Sequence, residues 1–186
     1  MCIRDRYYTT RDMGVPLLST TNISEDGIRL DNLRYVTYGF HYKHKKSMVF
    51  PGDIIVARHG ESGTAAVIPD TIREAQCLNV VIIRKSPKFV SKFLEYLLNS
   101  PHTRKRLLGW QSGSVQKVVN TRILQQFRIP LPPIEEQQKI ANILMSVDNW
   151  IKLEKLRKEK LECLKRGLME LLLTGKVRVK VEPVSK

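Results

Sequence analysis

Apolar side chains recur at three- and four-residue spacing through the last third of the chain. One block holds Ile140, Ile143, Leu144, Val147, Trp150 and Ile151; a second holds Leu161, Leu164, Leu168, Leu171 and Leu172. This is the stripe of an amphipathic α-helix. No proline occurs from Ile134 to Thr174, and Gly167 is the only glycine there. Pro130, Pro132 and Pro133 precede the run, where proline fits just before a helix or in its first turn. Gly175 supplies a left-handed stop. About 40 residues at 1.5 Å each make a rod roughly 60 Å long, too long to fold onto one small core. The pattern therefore predicts a coiled-coil-type helix that needs a partner helix, and whose length can serve as a spacer. A helix packed on its own globular domain is the alternative, and the length argues against it. Residues 152–160 are charged except for Leu153 and Leu156. That interruption reads as a stutter in the repeat.

Upstream the period shortens. Residues 16–23 read as a strand and turn, Glu25-Asp26-Gly27 as a turn, and 28–30 as a short strand. Residues 35–42 are aromatic and fit either a strand or a helix. Phe50-Pro51-Gly52-Asp53 is a turn signal. Residues 54–58 form a β-branched strand, 59–64 a glycine-containing loop, and 65–68 the returning strand of a hairpin. A further strand is expected at 78–84. Ser86-Pro87 should open a helix with Phe89, Phe93, Tyr96 and Leu97 on its apolar face. Pro101 should begin a second helix ending at Gly109, and 123–129 a final extended segment. The reading is α+β: a small mixed α/β domain followed by one long helix.

Several strings make the chain recognisable. L-P-P-I-E-E-Q-Q-K-I at 131–140, the long helix, and L-L-L-T-G-K-V-R-V at 171–179 resemble the conserved region of type I restriction–modification specificity subunits. V-P-L-L-S-T-T-N-I at 15–23, P-G-D-I-I-V-A-R-H-G-E-S-G at 51–63 and G-W-Q-S-G-S-V-Q-K at 109–117 resemble that family's target-recognition domain, in the right order. The resemblance implies a DNA target-recognition domain over 15–130, a dimerisation and spacer helix over 131–175, and a tail over 176–186. It leaves residues 1–14 atypical: Met-Cys-Ile-Arg-Asp-Arg does not resemble the start of such a domain, and a truncated start with junction-derived first residues is expected. Full-length members carry two recognition domains and two helices. This chain is expected to be a half-subunit, or the second half of a longer one. It should bind no cofactor itself. S-adenosylmethionine, ATP and Mg belong on partners, namely the methylation (M) subunits and the restriction (R) subunit. The remaining implied partners are double-stranded DNA and a second recognition half, met through Ile140, Leu144, Val147, Ile151, Leu161, Leu164, Leu168 and Leu171.

Charge agrees without the resemblance. The chain holds 32 Lys+Arg against 18 Asp+Glu, a net charge of +14. Residues 1–130 carry 20 basic and 10 acidic side chains, so most of the excess lies in the globular part. A basic domain attracts phosphate, with an affinity that falls steeply with salt. No stretch approaches the roughly 18 consecutive apolar residues of a membrane span, and no signal peptide opens the chain. Cys2, Cys77 and Cys163 have no metal-like spacing and fit reduced thiols in the cytoplasm.

Three segments combine hydrogen-bond donors with permissive backbone. Arg58, His59 and Gly60 sit at the hairpin tip, where glycine admits close approach to phosphate and arginine can fork onto guanine. The same stretch also fits an ordinary solvated turn. Ser112, Ser114, Gln116 and Lys117 suit base edges and phosphates, with Trp110 as a core anchor. Lys43, Lys45 and Lys46 suit phosphate contact, and His41 and His44 lie among them. Arg104, Lys105 and Arg106 either extend that track or form a solvated helix face.

The motifs of an enzyme are missing. Leu131-Pro132-Pro133-Ile134 lacks the polar first and aromatic last residue of an amino-methyltransferase motif. Pro69-Asp70 is present, but Glu74 is followed by Ala75-Gln76, so the lysine of a magnesium nuclease triad is absent. No glycine-rich ATP loop occurs. Gly60 and Gly63 match an RNA-binding G-x-x-G spacing, but between strands rather than helices. No metal site is expected. The reading is a non-catalytic, sequence-specific DNA-binding subunit; the alternative is a basic coiled-coil adaptor without sequence-specific binding.

Overall fold

A computed structural model describes residues 5–109 and 118–180. Two compact units divide the chain, Met1–Ala141 and Asn142–Lys186.

The first unit opens with β1 (Tyr8–Thr9) and β2 (Gly14–Leu18), followed by the hairpin of β3 (Ile23–Ser24) and β4 (Gly27–Ile28) around Glu25 and Asp26. Then come β5 (Arg34–Thr37), α1 (Tyr38–Lys43), β6 (Met48–Val49), β7 (Ile54–Ala57), β8 (Ala65–Val67), β9 (Ala75–Cys77) and β10 (Val80–Ile83). The aromatic 35–42 segment is thus split: a strand to Thr37, then a short helix capped by the Thr37 hydroxyl, which accepts from the Phe40 N–H at 3.4 Å. One sheet has the order β1-β5-β2-β9-β6, antiparallel except where β2 runs parallel to β9. A second, antiparallel sheet has the order β10-β7-β8.

β7 reads Ile-Ile-Val-Ala with no polar alternation, because both of its faces are covered. Ile55 and Ala57 join a core with Leu18, Val49 and Cys77. Ile54 and Val56 point the other way, into a core with Leu94, Leu98, Leu107 and Phe127. Burial pushes the Cys77 thiol up to about 12, only partly offset by the Arg84 guanidinium.

The helices α2 (Ser91–Asn99) and α3 (Pro101–Gly109) supply that second core. α2 also closes the outer edge of β8. The Asn99 amide accepts from the Ala65 N–H and donates to the Ala65 carbonyl, each at 2.8 Å. The Glu95 carboxylate accepts from the Val67 N–H at 3.3 Å. Side chains thus take the place of a fourth strand and satisfy its ladder groups.

Two expected elements differ. The helix expected to open at Ser86-Pro87 begins at Ser91. Ser86 instead makes a local turn, its hydroxyl accepting from the Lys88 N–H at 3.3 Å, and the Val90 N–H is taken by Gln137 Oε1 at 2.9 Å. The extended segment expected at 123–129 begins as a helix, α4 (Thr121–Gln126). Asn120 caps it, accepting from the Ile123 N–H at 2.9 Å, and the chain becomes extended only at Phe127.

The last helix, α5 (Ile134–Leu173), runs 40 residues without a break. Glu135 and Glu136 sit in its first turn, where carboxylates complement the helix dipole. It stops at Gly175, whose backbone is left-handed (φ 72°) and whose N–H bonds to the Leu172 carbonyl at 3.2 Å. Within the first unit, Gln137 and Ala141 are its buried residues. Gln137 is 1% exposed. Besides accepting from Val90, its amide donates to the Pro132 carbonyl at 2.7 Å. No described helix is long and apolar enough to cross a membrane.

Candidate nucleic-acid interface

The hairpin between β7 and β8 is built by its own backbone. The Gly63 N–H donates to the Ala57 carbonyl at 2.9 Å, and the Ala57 N–H to the Thr64 carbonyl at 2.8 Å. The Ser62 hydroxyl donates to the Arg58 carbonyl at 2.8 Å. Gly63 is left-handed (φ 88°), and a Cβ there would press on Leu107 Cδ2 at 3.3 Å. Glycine is therefore required for both conformation and packing. The result is a rigid base with an exposed tip: Ser62, Gly63 and Thr64 are buried, while His59, Gly60 and Glu61 are exposed. Arg58 is half-buried, and its Nε is buried with no hydrogen-bond partner among the described residues.

Ser112, Ser114, Gln116, Lys117 and Trp110 lie outside the described residues. Where the chain re-enters the described part, the Val119 N–H donates to the Arg58 carbonyl at 3.2 Å. Val119 is fully buried beside Leu107 in the second core. The chain just after the second candidate set is therefore hydrogen-bonded to the hairpin that carries the first. The sequence separates these two by about 60 positions and contains no sign of the juxtaposition.

The third segment behaves differently. Lys43, Lys45 and Lys46 are exposed. His41, which reads as part of the same basic cluster, is fully buried. Its Nδ1 is 2.8 Å from Gln76 Oε1 and its Nε2 is 3.2 Å from Glu74 Oε2. Gln76 in turn donates to the His44 carbonyl at 3.2 Å. His41 is a structural pin and not a surface cation. His44 Nδ1 is 2.8 Å from its own helix carbonyl at Phe40. Among the described residues no cluster of three His, Cys, Asp or Glu is placed to hold a metal.

The lysines and the hairpin tip flank opposite ends of β7. Asp53, just before β7, is 4% exposed and accepts from the Phe50 and Lys85 N–H groups and from Arg84 Nη1 at 2.8 Å. The same Arg84 guanidinium donates to the carbonyls of Met48 and Lys46. Arg58 follows the far end of the strand, about 13 Å along it at ~3.3 Å per residue. On α1, which ends at Lys43, Tyr38 and Tyr42 are exposed and stacked, their ring centroids 6.3 Å apart. Sequence reasoning passed over this pair; its signal is the four-residue spacing, opposite the buried Phe40 and His41. Arg104 pairs with Glu25, and Arg106 lies over the Phe127 ring at 5.1 Å. Lys105 is exposed and makes no such contact among the described residues.

The second unit offers a different surface. From Ile143 to Leu173 the large apolar side chains of α5 are exposed except the half-buried Met145, and Leu161, Leu164, Leu168 and Leu172 line a shallow apolar groove. Trp150 is 73% exposed. A helix with such a stripe is incomplete without a partner.

An α+β domain followed by a long helix is a fold shared with solved structures. A chain solved in work on complex assembly and conformational transition of the type I R-M system matches with a TM-score of 0.66 at 19% identity, over 89% of this chain and 39% of that one. The HsdS subunit from Thermoanaerobacter tengcongensis matches with a TM-score of 0.55 at 18% identity, over 88% of this chain and 44% of that one. The family model described as type I restriction modification DNA specificity domain matches residues 9–163, and the chain belongs to that family. The type I restriction enzyme MjaVIII specificity subunit of Methanocaldococcus jannaschii is 32% identical over 181 residues, covering 94% of this chain and 43% of that protein. The EcoBI specificity subunit of Escherichia coli is 28% identical over 133 residues, covering 69% and 27%. The chain thus spans less than half the length of these relatives.

Proposed function

We propose that this chain reads DNA sequence for a type I restriction–modification complex, gripping one half of a bipartite site without catalysing a reaction itself. One observation carries this reading: the family match runs through both the compact domain and most of the long helix. Lys43, Lys45 and Lys46 are assigned to phosphate contact, which positions the domain on the duplex. Arg58, His59 and Gly60, with Ser112, Ser114, Gln116 and Lys117, are assigned to base edges and adjacent phosphates. The stacked Tyr38–Tyr42 pair joins the lysine face.

The long helix is assigned to a second recognition half, either a second copy of this chain or the rest of a longer subunit. Two-fold pairing of identical chains would require inverted half-sites at a separation set by the rod. Methylation subunits would bring S-adenosylmethionine, and a restriction subunit would bring ATP- and Mg-dependent chemistry. All of this takes place in the cytoplasm. Gel-shift selection from random duplexes, with the purified chain and its methylation subunit, tests the reading. A bipartite consensus is expected. Tight binding with no enriched sequence would make the chain a basic adaptor instead.

A further inference from the structure

A cleft in the first unit contains neither the hairpin tip nor the lysines. About 510 Å³ in volume, it opens over β2, with Val15 and Pro16 in its floor. β5 and β9 flank β2, Tyr35 lying beside Pro16 and Gln76 beside Leu17. From the β5 side the cleft is lined by Tyr35, by Tyr38 of α1 and by Leu30. From the β9 side it is lined by Thr71, Arg73 and Glu74, in the segment leading into that strand. Arg11, just before β2, completes it.

The charges of this cleft do not cancel. Arg11 and Arg73 are exposed, and neither side chain has an ion pair or hydrogen bond among the described residues. Asp12 and Asp70 neighbour the cleft in sequence and do not line it. Glu74 is the one carboxylate among the described lining residues, and it is already engaged. Its Oε2 is 3.2 Å from Nε2 of the buried His41, which holds the carboxylate in place. Its Oε1 has no hydrogen-bond partner among the described residues. Two free guanidiniums therefore face one anchored carboxylate with an acceptor to spare, beside tyrosine rings and an exposed leucine.

We infer that this cleft binds a single nucleotide, its phosphate on Arg11 and Arg73 and its base against Tyr38 and Leu30. The forked donors of arginine match phosphate oxygens. The volume falls in the range of small-ligand sites, roughly 300–1,000 Å³. A base reaches such a site only when it is outside a stacked duplex. Tyr42 backs the Tyr38 ring, the two planes 22° apart, and an aromatic platform of this kind accepts the face of any base. Glu74 adds selectivity. Its free oxygen can accept from the exocyclic amino group of adenine or cytosine, whereas thymine offers an acceptor at that place. A carboxylate repels phosphate, so Glu74 also keeps the phosphate end away from itself. The site needs no second chain and stands apart from duplex reading at the hairpin tip.

Isothermal titration of the full chain with dAMP, dTMP, deoxyadenosine and inorganic phosphate tests this. Saturable binding of one dAMP per chain is expected, with dTMP weaker and the nucleoside and phosphate weaker still. Arg11→Ala and Arg73→Ala should each weaken dAMP binding by roughly tenfold or more. Both positions are exposed, so the thermal midpoint should not move. Thr71→Glu, which adds a second carboxylate at an exposed position, should weaken binding as well. Absence of dAMP binding, or an affinity unchanged in both arginine variants, would overturn the site. Phosphate binding as tightly as dAMP would mean an anion site only and overturn the nucleotide assignment. Equal affinity for dTMP would overturn the Glu74 contact. A duplex with one unpaired adenosine separates the two sources of such a ligand. Tighter binding than to the paired duplex, lost in Arg73→Ala and competed by dAMP, assigns the site to a DNA strand. Binding of dAMP with no gain from the unpaired base assigns it to a free nucleotide. Failure of sequence selection with dAMP binding intact would sink the proposed function and leave this site standing.

Discussion

At the scale of single residues, two side chains separate recognition from structure. Arg58 is held by its backbone, through Ser62 and Val119, while its Nε is buried with no partner among the described residues. A guanidinium so placed suits a bidentate base contact. Arg58→Ala should cost about 1–3 kcal/mol of discrimination at one base position, read by competition gel shifts with single-base variants. A uniform loss across all sequences would assign Arg58 to phosphate. Gln137 is the structural counterpart. It belongs to the E-E-Q-Q string that made the chain recognisable, yet its amide is buried and spans Val90 and Pro132. Gln137→Ala should destabilise the first unit by about 1–3 kcal/mol, because it strands a buried N–H and a carbonyl. Urea denaturation measures this, and an unchanged midpoint would contradict it.

At the scale of elements, legibility followed locality. The long helix, its proline lead-in and its glycine stop were readable because each depends on residues within a turn or two. The β7–β8 hairpin and α3 were readable for the same reason. The start of α2 was misplaced because the N–H that decides it bonds to Gln137, 47 positions away. The segment at 123–129 was expected to be extended, and what makes its start helical is a single side chain, Asn120, accepting from the Ile123 N–H. The element with the clearest functional consequence is α5. If it sets the distance between recognition domains, inserting one heptad at its centre should lengthen the rod by about 10 Å. The preferred gap between half-sites would then widen by about three base pairs at ~3.4 Å each. Selection from duplexes with variable spacers checks this, and an unchanged gap would mean that the helix does not measure the site.

At the scale of the whole molecule, charge is the property that acts over distance. A net charge of +14, carried mostly by residues 1–130, should attract DNA of any sequence before the loops read it. DNA affinity should fall linearly on a log–log plot against salt. Removing Lys45 or Lys46 should reduce that slope by roughly 1 each and leave the sequence preference intact. Fluorescence anisotropy across a salt series measures both quantities. A changed consensus would mean that these lysines read bases. The candidate surface was only partly legible. The lysines and hairpin tip are candidates by residue type, but His41 shares their local chemistry and is buried. The stacked Tyr38 and Tyr42 lie in a segment whose aromatic pattern fits a strand as well as a helix.

The amino-acid sequence by itself determined the α+β class, the length of the rod and its apolar stripe, the hairpin, the basic balance and the family. These depend on periodicity, turn residues and composition, which are properties of neighbouring positions. Tertiary structure alone decided that β2 pairs with β9 some 60 residues later and that Gln76 and Glu74 bury His41. It also decided that Val119 closes onto Arg58 and that Gln137 ties α5 to Val90. Each of these is a buried polar group finding its partner at long range, and such pairings are set by how the chain packs rather than by any local pattern.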